Sequence, residues 1–116
     1  MEIAHTPMKR CDLLAIEGRI DSATAPEFER QINDLIENGR KNLIINLGQA
    51  TFISSAGMKV LLASLKKVRS MLPAGDVVLS QVPEGDEVNL KENFDLAGFT
   101  HLFDFYDSDV EAVGSF

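Results

Sequence analysis

Residues 43–62, LIINLGQATFISSAGMKVLL, carry the change of pattern on which the fold turns. LIINL (43–47) is short, apolar and β-branched, as suits a strand buried on both faces. From Ala56 to about Leu72 the period changes: Met58, Leu61, Leu62, Leu65, Val68 and Met71 recur at helical spacing while Lys59, Lys66, Lys67 and Arg69 fall elsewhere. Between the two runs stand Ser54, Ser55 and Gly57. A strand gains nothing from paired serines and a helix nothing from a glycine, so the interruption is a strand-to-helix junction, a site, or both.

Working outward, the same alternation repeats. Residues 2–8 and 12–17 (DLLAIE) read as two strands separated by Lys9-Arg10, hence an N-terminal hairpin. Thr24 to Asn38 reads as a helix. Thr24 with Glu27 forms a capping box, Pro26 falls in the first turn, Phe28, Ile32, Leu35 and Ile36 share a face, and Gly39 suits a left-handed cap. Pro73-Ala74-Gly75 closes the second helix, and DVVLSQV (76–82) reads as a strand. Lys91 to Ala97 is a short helix stopped by Gly98, HLFDFY (101–106) an alternating strand, and Ser108 with Glu111 caps a final turn or two.

The order β-β-α-β-α-β-α-β-α predicts a single α/β domain over residues 1–116, with a mixed, mostly parallel sheet and an antiparallel hairpin strand at one side. Sites in such sheets gather where strands end and helices begin. The stretch 52–57 is such a place.

Bulk properties narrow the function. At 116 residues with 45% hydrophobic and 25% charged residues, the chain is long enough for one core without staples. Its formal charge of −7, with no run or stripe of lysine and arginine, disfavours nucleic acid and anionic membranes as partners. No apolar run is long enough for membrane insertion, and the N-terminus lacks the apolar core of a signal peptide, so a cytoplasmic location is expected. The lone Cys11 is a filler near a strand start. His5 and His101 stand apart, which predicts no metal site, and no glycine-rich phosphate loop is present, which predicts no cofactor.

Three roles are open to the serines. One of them caps the helix, its hydroxyl accepting a first-turn N–H. Ser55-Ala56-Gly57 also matches half of a G-x-S-x-G elbow, with Asp86, Asp95 and His101 following in hydrolase order, but Ile53 occupies the position where that strained turn needs a small residue. An enzyme is therefore not expected. Third, a hydroxyl at a helix N-terminus is a place where an added phosphoryl group is tolerated by the fold while its charge transforms the surface.

Taken together, EGRIDSATAPEF (17–28), NLIINL (42–47), FISSAGMKVLL (52–62) and FDLAGFTHLF (94–103) resemble the STAS domain, shared by bacterial anti-sigma factor antagonists and the cytoplasmic tails of sulfate transporters. The resemblance spans nearly the whole chain and implies the STAS fold, with about four helices packed mainly on one side of the sheet. It also implies that Ser55 is the phosphorylated residue of an S-[SA]-G triplet completed by Ala56 and Gly57, and that Asp21 is the acidic residue beside the acceptor loop. Ser54 stands where well-known members carry aspartate. The segment 82–99 is longer than usual for the family, with an acidic run, Glu84 to Glu87, that reads as a solvated loop.

The implied function is that of an anti-sigma factor antagonist in a partner-switching cycle. The unphosphorylated chain would dock on an anti-sigma factor with serine kinase activity and release a sigma factor; phosphorylation would undock it and a serine phosphatase would reset it. The implied docking surface is the loop 48–57 with the exposed side of the following helix, including Lys59 and Lys66; Asp21, Ser54, Ala56, Gly57, Met58 and Lys59 form the acceptor loop and partner-binding set, with Gly57 leaving bare backbone for a partner's active site. The alternative is a STAS scaffold or accessory subunit that is not phosphorylated.

Overall fold

A computed structural model describes all of residues 1–116. Two strands, β1 (Glu2–Pro7) and β2 (Asp12–Ile20), form the hairpin; α1 (Ala25–Glu37), β3 (Asn42–Ile53), α2 (Ser55–Arg69), β4 (Asp76–Ser80), α3 (Leu90–Ala97), β5 (Phe105–Tyr106) and α4 (Asp109–Gly114) follow. The element order is the one expected from the sequence. The sheet runs β1-β2-β3-β4-β5, antiparallel between β1 and β2 and parallel thereafter.

The two faces of the sheet differ. Leu14, Ile16, Leu43, Ile45, Leu47, Val77 and Leu79 alternate onto one face, where they meet Phe28 and Ile32 of α1, Leu61, Leu65 and Val68 of α2, and Leu90 and Phe94 of α3. The opposite face carries a smaller cluster of Cys11, Ile44, Val78 and Ala112, covered by the short α4. Asp109 anchors that helix, its carboxylate accepting from Asn46 Nδ2 at 2.9 Å and from Ser80 Oγ at 2.7 Å. Cys11 is buried, and burial followed by the neighbouring Asp12 pushes its thiol pKa up, as fits a filler.

Three local expectations are corrected. β3 does not stop at Leu47 but runs on to Ile53. Its second half is only half covered, with Ala50 and Ile53 buried and Gln49 and Thr51 exposed, the register against β2 slipping by one residue between Ala50 and Phe52. Residues 48–53 are therefore strand, and the connection into α2 is Ser54 alone. β5 is two residues long, since Phe103 leaves the strand path to pack edge-on against Phe94, 6.0 Å between ring centroids. Thr24 occupies the α1 N-cap position without a side-chain cap bond. Its hydroxyl donates instead to Arg19 O and accepts from Asp21 N, both at 2.9 Å.

Candidate functional site

The parallel strands β2 and β3 end together, Ile20 beside Ile53. The chain then turns at once into α2, and the turn is fastened to the neighbouring strand: Ser54 N donates to Ile20 O at 2.8 Å. Ser54 is the N-cap in extended conformation, its Oγ accepting from Gly57 N at 3.3 Å. Of the two serines, then, the first does the capping. Ser55 is the first helical residue, exposed, with a hydroxyl that makes no hydrogen bond within the chain. The N–H groups of Ser55 and Ala56 precede the first helical bond, which Met58 N makes to Ser54 O at 3.0 Å, and so point outward unpaired.

Gly57 serves packing rather than access. It is buried, and a Cβ there would stand 2.6 Å from Ile20 Cγ2 and 2.9 Å from Ile53 Cγ1. Only glycine lets the first turn of α2 settle on the ends of both strands. The expectation that its bare backbone admits a partner's active site is thereby corrected. Met58 is corrected likewise, being 4% exposed and a member of the main core, although its edge floors a hollow beside Ser55.

Asp21 follows Ile20 directly and so lies beside the junction. Its carboxylate accepts from Ala23 N at 3.0 Å and Thr24 N at 3.1 Å, forming the turn that opens α1. The Thr24 amide, then the Ala23 amide, the Thr24 hydroxyl and Arg19 hold its pKa below the ordinary carboxylate value against a smaller opposing effect of desolvation. Arg19 lies over the Phe52 ring, 4.3 Å from its centroid, on the neighbouring strand end.

Ser55 stands on a ridge between two hollows. One, about 360 Å³, lies between α2 and α3 and is lined by Ile53, Ser54, Ser55, Met58, Asn93, Leu96 and Ala97. The other, about 390 Å³, lies between α1 and α2 and is lined in part by Ala25, Pro26, Glu29, Ala56, Lys59 and Val60. Lys59 is exposed, one turn beyond Ser55, and joins no ion pair; Lys66 is exposed further along the helix. The structure thus groups Asp21, Ser54, Ser55, Ala56 and Lys59 around one strand-to-helix junction.

Two contributors escaped the sequence. Asn93 of α3 donates from Nδ2 to Ile53 O at 2.9 Å, bracing the end of β3 from forty positions away, and no local signal marks so remote a bond. Leu96 is 81% exposed at the rim of the α2–α3 hollow. It had a readable signal, a leucine lying off the buried Leu90–Phe94 stripe of its own helix. By contrast, His101, Asp86 and the run Glu84 to Glu87 are exposed. Asp95 is engaged by the Thr100 hydroxyl and, after it, by Lys91 and the nearby His101, which lower its pKa, and no hydrogen bond joins His101 to Ser55 or to Asp95.

Against this geometry, the sequence model of the STAS domain family matches residues 8–112. BtrV of Bordetella bronchiseptica, named as a candidate anti-sigma factor antagonist, is 27% identical over 104 residues, 90% of this chain and 84% of that protein. Among solved structures, an anti-sigma factor antagonist from Mycobacterium paratuberculosis superposes with a TM-score of 0.81 at 22% identity, covering 98% of this chain and 92% of that one. The phosphorylated form of the Bacillus cell fate determinant SpoIIAA gives 0.73 at 15% identity, covering 98% of both chains.

Proposed function

The chain belongs to the STAS domain family, and from that premise we propose that it is an anti-sigma factor antagonist working in a phosphorylation-controlled partner switch, with Ser55 as the acceptor. The observation that carries this reading is the division of labour between the serines. Ser54 takes the cap, and Ser55 is left exposed with a free hydroxyl at the positive end of a fifteen-residue helix.

The partner is an anti-sigma factor with serine kinase activity. It brings ATP and Mg²⁺, so this chain need only present a hydroxyl. Ser55 Oγ attacks the γ-phosphorus, the bond to the β–γ bridging oxygen breaks, ADP leaves, and the hydroxyl proton passes to a base of the kinase. A serine phosphatase reverses the state by transferring the phosphoryl group to water. The chain itself performs no catalysis.

Docking uses the ridge and its flanks: Ser55, Ala56 and Lys59 with the Leu96 rim. Ser54, Gly57 and Met58 shape that surface from beneath, and Asp21 holds its α1 side. An added phosphate carries a charge of roughly −1.5 to −2 into the contact. On the ridge the unpaired N–H groups of Ser55 and Ala56 favour it, so the fold persists, whereas burying it under a partner with no matching cation costs several kcal/mol and expels the partner. No helix is long and apolar enough to cross a membrane. Control of a sigma factor places the work in the cytoplasm.

The test is phosphate mapping. The protein is incubated with anti-sigma kinases of its host and ATP, and the phosphate is located by mass spectrometry. Phosphate on Ser55, absent in Ser55→Ala, is the expected result. Binding without phosphate transfer from any cognate kinase would leave the scaffold role, to which the lack of a carboxylate at Ser54 is suited.

A further inference from the structure

The two edges of the sheet are treated differently. β5 closes one edge with two residues, the short kind of edge that offers little to a passing strand. At the other edge β1 offers six residues, five of them exposed, with no lysine within it and no bulge. Met8 N donates to Cys11 O at 2.9 Å, and bonded residues alternate along an antiparallel ladder. With the observed register, Thr6, Ala4 and Glu2 therefore turn their backbone groups to β2, while Ile3, His5 and Pro7 turn theirs to the open side. Pro7, which has no N–H to offer, sits at an outward position, as an edge requires. The strand is also held rigid: Ile3 packs against the core, and His5 Nε2 lies 2.7 Å from Oδ1 of the buried Asp12, which Arg40 Nε also engages.

Charge is divided along this edge. Glu2 and Glu17 face each other at one end, both exposed and in no ion pair, although like charges directly opposite across strands repel. Lys9 and Arg10 form the exposed turn at the other end, also in no ion pair. An edge that is acidic at one end and basic at the other is complementary to itself when reversed.

We propose that β1 pairs with β1 of a second copy of this chain, antiparallel about a two-fold axis, to give a sheet continuous through both subunits. The register that uses every free donor of Ile3 and His5 sets Ile3 opposite His5 of the partner subunit and Ala4 opposite Ala4 of the partner subunit. Each Ile3–His5 pair exchanges two backbone bonds, about four in all. The same register sets Glu2 opposite Thr6 of the partner subunit, so the Lys9-Arg10 turn of the partner subunit lies about 10 Å further along the edge, close enough for long-range attraction to Glu2, twice by symmetry. The interface lies on the sheet edge and leaves Ser55 free, so it stands independently of the phosphorylation switch.

Sedimentation and light scattering of the full chain from micromolar to sub-millimolar concentration should show a monomer–dimer equilibrium. Lys9→Glu/Arg10→Glu and Glu2→Lys/Glu17→Lys should each raise the dimer dissociation constant by about tenfold or more. An equimolar mixture of the two variants should restore association, because both ends of the mixed dimer again carry opposite charges. Ala4→Cys should form an intermolecular disulfide on mild oxidation and Thr6→Cys, which faces Glu2 of the partner subunit, should not. A wild-type chain that stays monomeric, a dimer indifferent to both charge variants, or crosslinking at Thr6→Cys equal to that at Ala4→Cys would each overturn the proposal.

Discussion

Ser54 Oγ accepts the Gly57 amide proton at 3.3 Å, and this bond frees the neighbouring Ser55 hydroxyl from any structural duty. The two serines should therefore separate cleanly on mutation. Ser54→Ala should cost about 1 kcal/mol of stability through the lost cap. Ser55→Ala should stay within about 0.5 kcal/mol of wild type, as exposed, unbonded positions do. Urea unfolding of both variants reads the difference directly.

Ser55→Asp places a negative charge where the first-turn N–H groups of α2 are unpaired. The helix end should accept it, leaving Tm within a few degrees, while affinity for the anti-sigma partner falls by about tenfold or more. Calorimetry of unfolding and of binding on the same preparation tests both halves. A large drop in Tm would make Ser55 a structural residue.

Gly57→Ala forces a methyl group to within 2.6 Å of Ile20 Cγ2. Both neighbours are buried branched side chains with no room to retreat, so a loss of about 1–3 kcal/mol is expected despite alanine's better helix propensity. A denaturant midpoint equal to or above wild type would show that the first turn of α2 can lift from the strands.

Leu96→Asp should leave stability nearly unchanged, because the side chain is 81% exposed, yet weaken partner binding at least as much as Lys59→Ala. Surface-bound kinase titrated with each variant gives the comparison. Unaltered binding would remove the α2–α3 hollow from the docking surface.

The pKa of Asp21 is lowered in the folded chain by the amide of Thr24 first and then by the amide of Ala23. A folded pKa below the unfolded one, about 3.9, means that its stabilising contribution is present above that value and is lost as pH falls through the folded pKa. Asp21→Asn keeps the turn-forming oxygen and removes the titration. Its stability should thus decline less than that of wild type as pH falls below about 4, measured by urea midpoints across an acid series.

The sequence was most legible where one face of an element is strongly apolar. The helical spacing in α1 and α2 and the all-apolar centre of β3 led directly to the alternating order and the parallel sheet. GQATFI (48–53) was not legible as strand because its outer face is uncovered there, and a solvated alternation broken by a glycine looks like a loop. HLFDFY looked like strand from end to end, but Phe103 packs against Phe94 rather than continuing the ladder. At the site, the junction was evident from composition alone, whereas the choice between the serines needed the cap bond. The purpose of Gly57 needed Ile20, thirty-seven positions away, and Thr24 was misread because Asp21 offered the backbone a better oxygen.

The wedging of Gly57 between Ile20 and Ile53, with Ser54 tied to Ile20, fixes the ridge that carries Ser55 to the ends of β2 and β3. Phosphorylation at Ser55, as proposed, would therefore add charge and bulk to this ridge without reshaping the fold beneath it. Under the proposed switch a partner would meet the same underlying fold in either state and tell the two apart by the phosphate itself, and the part of that discrimination carried by charge should fade as ionic strength rises.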